Sequence, residues 1–147
     1  MTFLLDVNVL VALAWRTHVH HAAADAWFAA DGRAGWATTP ITENGFVRVS
    51  SNPRAVDGAV SPATAVALVG EMRRQAGHVF WPADVSLAEV DGADVAAVVG
   101  HRQVTDAYLL ALARRRDGVL VTFDDGVRSL TRHAGDAALL VLPALVA

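Results

Sequence analysis

The sequence predicts an α/β fold, a three-layer α/β/α sandwich with a central, mostly parallel sheet. Two observations carry that expectation. Short apolar runs such as Phe3-Leu4-Leu5 and Val119-Leu120-Val121 read as strands buried on both faces. Segments of helical period separate these runs, and crossovers of that length join parallel strands with helices on both faces of the sheet. The 147 residues suit a single domain, 1–147, with one substantial core.

The elements follow in order. The first strand ends at Asp6, which is placed to cap a helix over Val7 to Trp15. Arg16-Thr17-His18 breaks the chain before a second, alanine-rich helix over His20 to Ala30. The turn Asp31 to Gly35 leads to the strand Trp36-Ala37-Thr38, and Pro40 opens a helix carried by Ile41 to Val49. Ser61-Pro62 starts the next helix, to about Gln75, and His78 to Trp81 is a strand closed by Pro82. Short helices are expected around Val85–Val90 and Ala93–Val99. Thr105 then caps the strongest helix, Asp106 to Arg116. Val119 to Thr122 is a strand, Asp124 opens a helix to about His133, and Leu139 to Leu142 is the last strand.

Composition removes several function classes. There is no cysteine, so disulfides and thiolate metal sites are excluded. There is no lysine either, since all twelve basic residues are arginine, and phosphate chemistry built on a lysine is therefore excluded. The apolar share of 54% and mean hydropathy of +0.36 are high, yet no run approaches the roughly 20 residues of a membrane-spanning helix. No charged-then-apolar leader is visible, so a cytoplasmic protein without membrane association is expected. A net charge of -3 argues weakly against nucleic acid, less so if several acids are clustered around cations.

Four acids stand out: Asp6, Glu43, Asp106 and Asp124. Each alone could cap a helix or favour its dipole. Their neighbours tell against that. Leu109, Leu110 and Ala113 follow Asp106 at offsets of three, four and seven, which puts its side chain on the apolar face of the helix. Glu43 shares a face with Phe46 and Val47 in the same way. A carboxylate turned inward costs several kcal/mol unless something compensates, and no basic partner is evident nearby. Two inward acids at helix starts and two at strand ends can meet at one edge of the sheet. Such a set, free of lysine and histidine, suits hard divalent cations. Two ions ~3.5–4 Å apart could activate a water and stabilise the leaving oxygen of a phosphodiester.

Four stretches resemble the PIN domain: Asp6 to Leu10, Trp36 to Phe46, Val104 to Ala113, and Thr122-Phe123-Asp124. More narrowly, they resemble the VapC-type toxin ribonucleases of bacterial toxin–antitoxin pairs. The resemblance implies an endoribonuclease that uses one or two Mg²⁺ or Mn²⁺ ions, is usually a homodimer, and is silenced by a small VapB-type antitoxin. The family's acidic quartet falls on Asp6, Glu43, Asp106 and Asp124. Its small polar residue falls on Asn8 and its threonine on Thr122. On this expectation Asp6, Asp106 and Asp124 form the main cation site and Glu43 completes it, while Asn8 and Thr122 orient the ligands from behind. Asp125 is expected to cap the following helix.

Other residues bear on the reading. Arg48, Arg54 and Arg102 are expected near the acid edge, where they could grip RNA phosphates. Arg114-Arg115-Arg116 suits the end of a helix dipole as well as it suits RNA. His18, His20 and His21 lack a third ligand for zinc and read as a solvated helix start. Trp15, Trp27, Trp36 and Trp81 read as core or interface residues. Two rivals differ in kind. Phosphoaspartyl chemistry needs a lysine that is missing, and a catalytically silent RNA- or protein-binding module has no use for an intact acidic set.

Overall fold

In the computed structural model, which describes residues 1–143, five parallel strands form one sheet in the order β3-β2-β1-β4-β5. The strands are β1 (Phe3–Leu5), β2 (Trp36–Thr38), β3 (His78–Phe80), β4 (Val119–Thr122) and β5 (Leu139–Val141). The α-helices are α1 (Val7–Ala14), α2 (His21–Ala30), α3 (Pro40–Ser50), α4 (Pro62–Arg73), α5 (Gly92–Ala96) and α6 (Val104–Arg115). The observed sheet is wholly parallel, and every strand expected from the sequence forms.

Alternation along the strands makes the sandwich. Leu4, Ala37 and Leu120 point to one face, where Leu109, Leu110, Leu112 and Ala113 of α6 cover them. Leu5, Trp36, Val119 and Val121 point to the other, against Val9, Leu10 and Val11 of α1 and Phe46 of α3. Burying each of these large side chains contributes roughly 1.5–3 kcal/mol. Helices α1 and α3 approach closely where Gly45 meets Val7: a Cβ at Gly45 would lie 2.4 Å from a Val7 methyl. The absent side chain at 45 allows this crossing.

Three boundaries differ from expectation. A 3₁₀ turn over His101–Gln103 precedes α6, so that helix begins at Val104 and Thr105 lies inside it rather than capping it. The Gln103 side chain instead accepts the N–H groups of Val99 and Gly100. After β4 the chain makes 3₁₀ turns over Asp125–Leu130 in place of an α-helix. The expected helix around Val85–Val90 contracts to a 3₁₀ turn over Leu87–Glu89.

The strand order explains why acids can meet. From β1 the chain winds outward to β2 and β3 on one side, and β4 and β5 fill the other. The order in which the chain adds strands reverses between β1 and β4, and in open α/β sheets the crevice at the carboxyl ends of such a strand pair is the usual ligand site. Asp6 follows β1, and Asp124 follows β4 after a single intervening residue.

Candidate active site

Asp6 is 8% exposed, and both of its oxygens are held. Its Oδ1 accepts the Val7 N–H at 2.7 Å, and its Oδ2 accepts the Thr122 hydroxyl at 2.8 Å and a longer contact from Asn8 Nδ2 at 3.4 Å. Burial pushes the Asp6 carboxyl above the ordinary aspartate range. The two strong hydrogen bonds pull against that shift, and Asp124 adds to it.

The wholly buried Thr122 is the hub of this edge. While donating to Asp6, its hydroxyl accepts Asn8 Nδ2 at 3.0 Å and the Asp124 N–H at 3.1 Å. Asn8 also accepts the Phe123 N–H at 3.1 Å. A hydroxyl has one proton and two lone pairs, so these three bonds use it completely. Asn8 and Thr122 thus lie between the two strand-end acids, and both tie the end of β4 to the start of α1.

Asp106, in the first turn of α6, takes no hydrogen bond or ion pair among the described residues. Its carboxyl is pushed up to about 6, first by burial and then by the charges of Asp6 and Asp124. Asp124 is exposed, and its Oδ1 accepts the Gly126 N–H at 2.8 Å. The cap of the 3₁₀ turn is therefore Asp124. Asp125, expected in that role, is instead paired with Arg128 in solvent.

Glu43 stands apart from this group. Its Oε2 accepts the Thr38 hydroxyl at 2.6 Å, and Arg73 approaches its Oε1 at 3.4 Å. The basic partner absent from its sequence neighbourhood thus arrives from α4, thirty residues on. His78 Nε2 lies 2.8 Å from the same Thr38 hydroxyl. Because that hydroxyl gives its proton to Glu43, Nε2 of His78 must be the donor to it. Burial and the neighbouring Arg73 push the His78 imidazole down, so the ring is neutral with its proton on Nε2. Thr38, His78 and Arg73 escaped the sequence reading because only the pairing of β2 with β3 and the packing of α4 on α3 bring them together at Glu43.

The arginines divide into two groups. Arg102 sits in the 3₁₀ turn one helical turn ahead of Asp106. Arg48 and Arg54 do not lie where the sequence reading put them. Arg48 falls in the last turn of α3, at the end away from Glu43, and Arg54 lies beyond it beside Trp15 and His18. All three are exposed and make no ion pair among the described residues. Arg114 pairs with Asp94 and Asp136, and Arg116 with Asp84, which gives both a structural use. His21 contacts the Ala12 carbonyl through Nδ1, and His20 stacks on Phe123 with ring centroids 4.5 Å apart. Trp36 and Trp81 are core residues.

Among the described residues, no three acidic or histidine side chains converge closely enough to ligate a single ion directly. The donor chemistry nonetheless fits a hydrated divalent cation. Asp6, Asp106 and Asp124 are oxygen donors close enough to repel one another, and none of them has a cationic side chain as partner. Mg²⁺ keeps several of its waters and uses few carboxylates directly.

Comparison with known proteins agrees with this geometry. The family described as "PIN domain" matches residues 3–133. The chain is 56% identical to Ribonuclease VapC39 of Mycobacterium tuberculosis over 124 residues, covering 84% of this chain and 89% of that protein. It is 54% identical over 130 residues to Ribonuclease VapC38 of the same organism, covering 88% and 90%. With Ribonuclease VapC29 the identity is 47% over 141 residues, covering 96% and 97%. A parallel sheet with acids gathered at its β1/β4 reversal and these matches along most of the chain have one explanation: the protein belongs to the PIN-domain family, in its VapC group.

Proposed function

We propose that this chain is a divalent-metal-dependent endoribonuclease, acting over residues 1–147 as a single domain and serving as the toxin of a toxin–antitoxin pair. The observation that carries the reading is uncompensated negative charge at the sheet reversal. Asp6 and Asp124 both push the Asp106 carboxyl up, and none of the three has an ion-pair partner among the described residues. The relatives named Ribonuclease VapC support the same reaction class.

Asp6, Asp106 and Asp124 would hold Mg²⁺ or Mn²⁺, one or two ions, with Glu43 completing the set. When bound, such a cation would lower the pKa of a water and offset the charge on the phosphodiester being hydrolysed. The protein's own part is mostly positional. Val7 N–H and Thr122 fix the Asp6 carboxylate in one orientation, and Thr122 fixes the Asp124 backbone relative to it. Asp106 ionises near 6 and is therefore charged at neutral pH. Asn8 keeps the Phe123 backbone from turning away. Water would lose a proton to solvent as it attacks phosphorus directly, the P–O3′ bond would break with the 3′ oxygen taking up a proton from solvent, and no covalent enzyme intermediate would form. Arg102, one helical turn ahead of Asp106, would meet a phosphate there. Arg48 and Arg54 would contact RNA further from the acids.

A cytoplasmic homodimer silenced by a VapB-type antitoxin completes the proposal. No helix among the described residues is long and apolar enough to cross a membrane. The test is cleavage of structured RNAs with Mg²⁺ or Mn²⁺ and with chelator, alongside Asp6→Asn. Discrete products that need both metal and Asp6 are expected. Cleavage that survives either removal would overturn the assignment.

A further inference from the structure

Of the four acids in the proposed site, only Glu43 has a cationic partner among the described residues. Arg73 Nη1 lies 3.4 Å from Glu43 Oε1, and its guanidinium carbon sits 4.6 Å above the centre of the Phe80 ring. The ring belongs to the edge strand β3, is partly exposed, and gives the flat guanidinium a surface to rest on. Arg73 is therefore held at Glu43 by two contacts of different kinds. Behind the carboxylate, Thr38 and the Nε2–H of His78 keep Oε2 in place.

We propose that Arg73 is the resident counter-cation of Glu43, and that a divalent ion taken up through Glu43 displaces it. The inference rests on the metal-dependent reading above. The two oxygens of Glu43 have different roles in it. Oε2 is bound to a buried hydroxyl with a neutral imidazole behind it, a fixed support that carries no charge to compete with a metal. Oε1 faces a half-exposed arginine, whose loss to solvent is cheap because the guanidinium is rehydrated as it leaves and the incoming cation takes its place at the carboxylate. Exchange at Oε1 therefore leaves the orientation of the carboxylate unchanged. The displaced guanidinium stays tethered to α4 beside the site. There it becomes a free, forked donor of the kind that grips phosphate oxygens in pairs.

The experiment is calorimetric titration of Mn²⁺ into the metal-free protein, comparing the parent with Arg73→Gln, Arg73→Lys and Arg74→Gln. Arg73 is 43% exposed, so its replacement does not threaten the core. Arg73→Gln is expected to tighten Mn²⁺ binding roughly two- to fivefold, the worth of an ion pair whose arginine is partly in water. Arg73→Lys keeps a charge but loses the fit to the ring, and should fall between the two. Arg74, which pairs with Glu71, reports the effect of lost charge alone and should leave the affinity unchanged. Unchanged or weaker binding by Arg73→Gln would overturn the inference while leaving the metal reading intact. So would equal tightening by Arg74→Gln. No Mn²⁺ uptake by the parent would overturn the metal reading, and this inference with it.

Discussion

Replacing Asp106 by asparagine should make the metal-free protein more stable, and the size of the gain can be worked from the site. Asp106 has an ordinary aspartate value of 3.8 in the unfolded chain and is pushed up to about 6 when folded. That difference corresponds to about 3 kcal/mol against the charged form at neutral pH. The side chain keeps part of its surface in water, however, which screens the repulsion from Asp6 and Asp124, so a cost of roughly 1 kcal/mol is expected. The sign follows from linkage. Between 3.8 and about 6 the folded protein binds the proton more tightly than the unfolded chain, so this group costs stability progressively as pH rises through that window. The cost is absent below it and complete above it. Asp106→Asn removes the charge at an almost unchanged volume. In chelator at pH 7.5 the variant should melt about 2–4 °C higher than the parent, and the gain should vanish near pH 4. Differential scanning fluorimetry over that range measures both. An unchanged or lower Tm at pH 7.5 would refute the reasoning, and so would a gain that persists undiminished at pH 4.

Three further outcomes are expected. Thr122→Val removes the hub hydroxyl and leaves Asp6 Oδ2 only its 3.4 Å contact with Asn8, so about 1–3 kcal/mol should be lost in urea melts, with Thr122→Ser recovering most of it. Gly45→Ala places a methyl 2.4 Å from Val7 and should cost about 1–3 kcal/mol of unfolding free energy, much of it restored by the double variant with Val7→Ala. Arg114→Ala strips Asp94 and Asp136 of a partner that helps hold their carboxyls below the usual range. The stability they contribute is full above their ordinary 3.8 and lost as pH falls through the depressed values. Acid titration monitored by circular dichroism should therefore show a shallower acid-side loss in the variant than in the parent.

What the sequence revealed depended on whether a feature was local. The strands were legible because Leu4-Leu5 and Val119-Leu120-Val121 must be apolar on both faces, and Asp6 was legible because an acid ends the first such run. The inward placement of Asp106 followed from the helical period of Leu109, Leu110 and Ala113 alone. Features that depend on register or on a competing local bond were not legible. Thr105 looked like a cap, but Gln103 takes up the N–H groups ahead of α6 from within a 3₁₀ turn that has no periodic signature. Asp124 and Asp125 are adjacent and chemically identical, and only the path of the backbone determines which one caps. Glu43 looked unpartnered because its threonine, histidine and arginine are brought in by β2, β3 and α4. Arg48 was misplaced by reading nearness in sequence as nearness in space, since a helix that starts at the acid edge carries its last turn away from it.

The Thr122–Asp6 hydrogen bond joins residues 116 positions apart, and β1 pairs with β4 across the same span. During synthesis the first strand therefore emerges long before its central neighbour exists. β2 can dock on one side of it, but the other side, with the buried carboxylate at its end, waits until β4 has been made. A nascent chain that lacks β4 also lacks the clamp on its first acid and the acid that follows β4. The crevice between those acids exists only once the two strands have paired.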